Sequence, residues 1–258
     1  MNYKQNNLEF LEGSKRKLSE IIKEKKLESI EVSVIVKQLT AQDAIGEPGR
    51  RDFPIIEGKE SVIEAQVLSA KGHAFTDSPG EFDGKLEQIL DFPLTTNKKR
   101  AIYIATMNAV LRHLDLCEKT VHCKDEEPVK CGREIALHIS KEWGDTKVGL
   151  IGLNPAIAES LVQTFGPENV KITDLNMQNI SCVKWGVSIW DGRKMAELLV
   201  EQSDVVLITG TSMVNATFDH IMNCIHKYDK NYLVYGVTAA GVCKLMGLNR
   251  ICPYGRNQ

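Results

Sequence analysis

The sequence predicts an α/β protein, with a Rossmann-like, doubly wound parallel sheet preceded by a small α+β domain. Three observations predict it. Thr146 to Asp174 reads as one complete β-α-β unit, the chain after it alternates strands and helices of similar length, and the chain before it does not alternate.

Lys147 to Leu153 is an apolar, β-branched run of strand length, as expected for a strand buried on both faces. It ends in Gly152-Leu153-Asn154-Pro155, where Asn154 can cap a helix and Pro155 fits the first helical position, whose N–H is unpaired in any case. Ile157, Leu161, Val162 and Phe165 then recur at helical spacing until Gly166-Pro167. Asn169 to Asp174 is the next strand, and such a unit closes right-handed into a parallel sheet. The turn should leave backbone N–H groups free at the carboxyl edge, where they favour an anionic or polar ligand. Asp174 emerges at that edge, about 20 residues beyond the first glycine, where dinucleotide-binding folds hold a ribose. The turn supplies one glycine where G-x-G-x-x-G has three, and the Asn154 side chain would obstruct a pyrophosphate, so the pattern points to the fold rather than to NAD.

Downstream, helices are expected at 193–202, 215–228 and 239–246, and strands at 204–209, 231–235 and 249–252. Upstream, an amphipathic helix is expected over 8–26, strands over 30–39 and 61–70 as an antiparallel pair, and a loop over the glycine-rich KGHAFTDSPGEFDG. A short helix at 86–90 and a helix over 97–114, apolar nearly all round and so buried between layers, complete this part. Val32, Val34 and Val36 should share one strand face. EKTVHCKDEEPVKC breaks the apolar pattern and reads as the junction before a helix opened by Pro128, which divides the chain into domains at 1–120 and 121–258.

The chain is long enough, at 258 residues, to bury a core without staples. With 32 basic and 34 acidic side chains its net charge of -2 gives no global field for nucleic acid or an anionic membrane. No apolar run suits a signal peptide or a bilayer span, so a cytoplasmic protein is expected. Seven cysteines without a C-x-x-C pair fit reduced thiols.

Open α/β sheets bind ligands beyond the carboxyl ends of their strands. Gly152-Leu153-Asn154-Pro155, the turn from Thr209 through Gly210, Thr211 and Asn215 to Thr217, and Tyr235 to Thr238 would bring hydroxyls, an amide and backbone N–H groups together there. They offer hydrogen bonds to oxyanions or a polar ring but no nucleophile with its base. Thr211, Asn215 and Thr238 could equally serve only as helix caps. The junction His122-Cys123-Lys124-Asp125-Glu126 carries the imidazole, thiolate and carboxylate donors of borderline and soft transition metals. Adjacent side chains project differently, so His122 and Cys123 meet one ion only on an irregular backbone, and a helix-capping acidic junction is the competing reading. Asn108, inside an apolar helix, needs a hydrogen-bond partner, either a ligand or a loop carbonyl.

VHCKDEEPVKC, VGLIGLNPAIAESL, LITGTSMVNATFD and YGVTAAG together resemble the prokaryotic heavy-metal chelation domain family. That resemblance implies an enolase amino-terminal-like domain joined to a Rossmann-like one, with a site in the cleft between them. Carried onto this chain, it implies Asn108, His122, Cys123, Asp125 and Glu126 on one wall and Gly152, Asn154, Pro155, Asp174, Gly210, Thr211, Asn215 and Thr238 on the other. His122, Cys123, Asp125 and Glu126 are the expected donors to a divalent transition metal, with a metal or a metal-complexing small molecule as ligand. His122 or Asp125 is the expected base should the site act as a chelatase. The alternative is a Rossmann-like enzyme using a nucleotide or S-adenosylmethionine, with Asp174 on the ribose. The expected partners are small molecules or metal rather than nucleic acid or membrane, and the sequence leaves room for a homo-oligomer.

Overall fold

The computed structural model of the chain describes residues 8–25, 27, 33–58 and 60–257. Its first helix, α1 (Glu9–Glu24), buries Leu11, Leu18 and Ile22, the apolar stripe that the sequence shows. The expected end of this helix at Lys26, and the start of the first strand at Ile30 to Val32, lie outside the described residues. Strand β1 (Ser33–Leu39) leads through a one-turn helix α2 (Ala41–Ile45) to β2 (Ser61–Val67). β2 pairs antiparallel with β1, as expected.

The next segment corrects the sequence reading. Residues 70–84, expected to be the end of one strand and a loop, instead hold β3 (Ala70–Thr76) and most of β4 (Phe82–Lys85). The turn into β3 falls at Leu68, with a left-handed φ of 54°, so β2 stops three residues earlier than expected. Gly72 is a strand residue because a helix lies on it: a Cβ there would stand 2.4 Å from the Ala105 carbonyl oxygen and the Ala109 nitrogen. Glycine marks close backbone approach here rather than a bend.

That helix is α4 (Asn97–His113), which follows α3 (Leu86–Leu90) and is buried continuously from Arg100 to Leu111. One side of it covers the four-stranded sheet, ordered β3-β2-β1-β4, and the other reaches the second half of the molecule. The second half begins with α5 (Glu127–Trp143), β5 (Val148–Ile151), α6 (Pro155–Phe165) and β6 (Val170–Asp174). Asn154 caps α6 and Pro155 opens it, as the sequence indicates. A hairpin of β7 (Val183–Lys184) and β8 (Val187–Asp191) follows; the sequence reading had no element there. Then come α7 (Gly192–Glu201), β9 (Val205–Thr209), α8 (Thr211–Val214), α9 (Phe218–Lys227), β10 (Asn231–Tyr235), α10 (Ala240–Met246) and β11 (Arg250–Ile251).

These strands form a sheet ordered β11-β10-β9-β5-β6-β8-β7, parallel except for the β7–β8 hairpin. β6 lies on one side of β5 and β9 on the other, so the order reverses at β5, where an open α/β sheet leaves a crevice. Its strands are apolar on both faces because both are covered. Val148 and Leu150 of β5, Val205 and Leu207 of β9, and Leu233 of β10 pack with Ile135, Ile139, Ile157 and Leu161 of α5 and α6. Ile151, Val206, Ile208 and Val234 point the other way, into a cluster with Leu199, Ile221 and Val242. That second cluster continues through Tyr103, Met107 and Leu111 of α4 to Ile63, Ala65 and Ala74 of the antiparallel sheet. The two halves thus share one core, with α4 as its centre. Among the described residues no helix is long and apolar enough to cross a membrane.

Candidate functional site in the cleft

A cavity of about 1240 Å³ opens beyond the carboxyl ends of β5, β6, β9 and β10. Phe53, Glu60, Phe75 and Asp77 from the amino-terminal half line it as well. Of the residues expected there, Gly152, Asn154, Asp174, Gly210, Thr211, Asn215 and Thr238 all contribute to its surface.

Asn108 and Pro155 do not. The Asn108 side chain is fully buried and its hydrogen bonds are satisfied by the backbone. Its Nδ2 donates to the carbonyls of His73 and Val237 at 3.0 and 3.1 Å, and its Oδ1 accepts from the Gly241 N–H at 2.7 Å. No group is left for a ligand, so the ligand-binding expectation for Asn108 is corrected to a fastener between β3, the turn after β10 and the start of α10. Pro155 is buried at the first turn of α6.

The β5–α6 turn also differs from expectation. Its N–H groups are taken: Leu153 donates to Asp174 Oδ2 at 3.0 Å, Asn154 to the Gly152 carbonyl at 3.1 Å, and Ala156 and Ile157 to Asn154 Oδ1 at 3.1 and 3.2 Å. Asp174 Oδ1 in turn accepts from the Asn176 N–H at 2.7 Å, and Asn179 Nδ2 reaches Oδ2 at 3.3 Å. A ribose would have to displace these bonds, and an anion would meet a turn already capped by its own asparagine. The geometry therefore lends no observation to a nucleotide or S-adenosylmethionine site.

Around β9, Gly210 permits close approach of two turns, since a Cβ would lie 2.8 Å from the Ala239 nitrogen. The Thr209 and Thr211 hydroxyls share a hydrogen bond of 2.9 Å. Asn215 Oδ1 accepts from the Thr217 N–H and hydroxyl at 3.2 and 2.7 Å. Thr238 Oγ1 accepts from the Phe75 N–H at 3.0 Å, tying β3 to the turn after β10. These side chains order the rim as well as facing the cavity.

The structure divides the expected donor set. His122 and Cys123 line the cavity; Asp125 and Glu126 are absent from its lining and are exposed. Asp125 Oδ1 accepts from the Glu47 N–H at 3.0 Å, and Glu126 Oε1 from the Gly49 N–H at 3.2 Å. The acidic pair therefore fastens the 46–49 loop, and the base expected at Asp125 is not at the cavity. Among the described residues, no three His, Cys, Asp or Glu side chains are grouped to enclose an ion.

The His122 ring is held in one tautomer. Its Nδ1 lies 2.6 Å from the Cys123 carbonyl, so that nitrogen carries the proton and Nε2 keeps its lone pair. Burial pushes the imidazole down to about 4, against a smaller opposing effect of that carbonyl, and the ring is neutral at pH 7. Phe75 packs edge-on against it, with ring centroids 5.0 Å apart. The His122 N–H donates to His73 Nδ1 at 3.3 Å, and His73 Nε2 meets Glu64 at 3.1 Å, so a buried pair supports the junction from behind. Cys131 and Cys252 line the same cavity. The Cys131 thiol is held below its ordinary range by the neighbouring Cys123 S–H, with burial opposing, while the same contact and burial push Cys123 up.

Glu60 is a participant that sequence reasoning missed. It is half-buried by exposed area yet surrounded by protein, because the water it touches is that of the cavity. Burial, followed by the nearby Asp174 and Asp77 carboxylates, pushes its carboxyl up to about 8. Such a group is mostly protonated at pH 7. No sequence signal distinguished it from other carboxylates at the start of a strand. Cys131 and Cys252 were visible as cysteines, but only the fold brings segments so far apart in sequence to one surface.

The family model named DUF364, described as "Putative heavy-metal chelation", matches residues 136–246. That stretch is similar to the DUF364 family. It runs from the middle of α5 to the end of α10 and contains β5 through β10, so the matched stretch supplies the strand-end rim of the cavity. His122, Cys123, Cys131 and Cys252 lie outside it. Among solved structures, the chain is similar to a DUF364 protein of unknown function from Pyrococcus horikoshii, at 12% identity over 89% of this chain and 79% of that one, with a TM-score of 0.49. A second, from Desulfitobacterium hafniense DCB-2, is 14% identical over 73% of this chain and 72% of that one, with a TM-score of 0.48. No curated protein matches the chain.

Proposed function

We propose that the cleft binds a transition metal, or a small molecule that complexes one, with His122 and Cys123 as donors and the turns after β5, β9 and β10 holding the polar part of the ligand. The supporting observation is the His122 side chain: a neutral imidazole, tautomer set by a backbone carbonyl, with a lone pair left on Nε2, in a residue that lines a large cavity together with Cys123. Imidazole and thiolate together suit borderline and soft cations. With no third donor preassembled among the described residues, the remaining coordination positions fall to the ligand or to water. The description of the DUF364 domain points the same way. Glu60 is the group in the cavity suited to exchange a proton when a cation or a deprotonating ligand enters.

Titration of the full chain with Co(II), followed by its visible spectrum, tests this reading. His122→Ala should weaken Co(II) binding about tenfold or more, because a ligand counts at least as much as its outer-shell support. The thermal transition of the free protein should stay cooperative. Unchanged affinity in that variant removes His122 from the donor set.

A further inference from the structure

The reading above uses one thiol, but the cavity holds three. Cys123 from the junction, Cys131 from α5 and Cys252 from the carboxyl-terminal segment all line it. Of the other cysteines, Cys117, Cys224 and Cys243 are buried in the core shared by the two halves and Cys182 is exposed. The Cys123 and Cys131 thiols are neighbours on that lining, each shifting the titration of the other, and Cys252 feels the charge of Cys131. Cys131 sits beyond Pro128, at the second turn of α5, and α5 is held by the contact of Gly132 with the Ala156 carbonyl of α6, where a Cβ would come within 2.5 Å. The Cys123 side of the pair is held by the Val121–Arg256 bridge, whose Arg256 also pairs with Glu127 at 2.8 Å. Both sulfurs thus ride on braced backbone rather than on a free loop.

A four-ligand site of the zinc type is not built here, since no three donors are grouped to enclose an ion among the described residues. Two thiolates suffice for a soft d¹⁰ cation, which thiolate ligands select over harder ones. We propose that Cys123 and Cys131 form a bis-thiolate site for a soft, thiophilic monovalent cation of the Cu(I) type, at the cleft. This rests on the metal-binding reading of the cleft and names the class of cation. On binding, two S–H bonds break, two S–metal bonds form, and two protons pass to solvent with no change in oxidation state. The complex carries one net negative charge, and Lys119, whose charge reaches Cys131, is the nearby cation that offsets it.

The test is anaerobic titration of the reduced full chain with Cu(I) against a competing chelator, read by the ultraviolet thiolate-to-copper band and by proton release. Equimolar binding with two protons released is expected. Cys131→Ser and Cys131→Ala should each lower Cu(I) affinity about 100-fold or more, the ligand mattering at least as much as its support. Cys182→Ser should leave it unchanged. The alanine variant, checked by circular dichroism, separates a lost ligand from a lost fold. Cu(I) binding that ignores Cys131, or Co(II) binding that needs His122 and Cys123 while Cu(I) does not bind, overturns the bis-thiolate and leaves the cleft reading standing. Failure to bind either metal overturns both.

Discussion

Replacing Asn108 with alanine is expected to destabilise the protein by about 3 kcal/mol, because each buried polar group left without a partner costs on the order of 1–3 kcal/mol. The Gly241 N–H loses its acceptor, and the carbonyls of His73 and Val237 lose their donor, all at a site closed to water. For a chain of this size the loss should lower the melting temperature by about 6–12 °C. Urea unfolding monitored by fluorescence measures it directly. Asn108→Asp is the sharper variant, since it keeps an acceptor for Gly241 but turns a carboxylate oxygen toward carbonyls. Its cost should be at least as large and should grow with pH. A change within about 0.5 kcal/mol for the alanine variant, the range of an ordinary surface substitution, would show that the three segments are held together by something else. The cavity should register the loss too, because Thr238 follows Val237 in the turn that Asn108 anchors and lines the cavity.

Asn108 also shows how far the sequence carries. Its place in a helix apolar on every side made burial legible, and burial made a partner necessary, but which partner depends on residues 35 and 133 positions away. The β5-α6-β6 unit was legible for the opposite reason. Its strand, cap and helix are specified by contiguous residues, and Asn154 with Pro155 does in the structure what the local pattern indicates. The same local logic misread Gly72 and its neighbours as loop, since a glycine required by a helix lying across a strand looks like a glycine required by a turn. The β7–β8 hairpin was missed because β7 has two residues and β8 takes its place beside β6 in a sheet assembled from distant segments. At the site, the clustering of strand-end turns followed from the fold class. Self-satisfaction of the β5–α6 turn did not, because an asparagine cap and a carboxylate from the next strand can either wait for a ligand or bond to the turn itself. Asp125 and Glu126 illustrate the same ambiguity: their chemistry suits a metal, and a left-handed Asp125 with φ of 59° directs the pair to backbone N–H groups instead.

Stability between pH 6.5 and 8 is expected to fall with rising pH, with Glu60 as the cause. In the folded protein its carboxyl titrates at about 8, against 4.5 for the ordinary group, so between these values the folded state holds a proton that the unfolded state has released. Stability then declines with pH, by about 1.4 kcal/mol per pH unit for one proton. His122 acts with the opposite sign over a lower window. Its folded value of about 4 against an ordinary 6.5 means that the unfolded state binds the extra proton there, and stability rises with pH until 6.5. From 4.5 to 6.5 the slopes of Glu60 and His122 oppose one another, with the buried His73, also lowered, on the side of His122; above 6.5 the lowered Cys131 thiol opposes Glu60. Cavity water screens part of the effect, which leaves a decline of roughly 1–2 kcal/mol by pH 8. Glu60→Gln keeps the shape and cannot ionise, so its unfolding free energy should not fall over that interval and should exceed that of the unsubstituted protein at pH 8. His122→Ala should instead lose part of the rise below 6.5, His73 supplying the rest, and keep the decline above it. Urea titrations at pH 5, 6.5 and 8 on the three proteins separate these contributions, and a Glu60→Gln protein that still weakens between 6.5 and 8 would assign the proton to another group. The same carboxyl gives binding its pH dependence: a cation entering beside Glu60 favours the ionised form, so the metal and the proton compete for one cavity, and metal affinity should rise through the range in which the free protein loses stability.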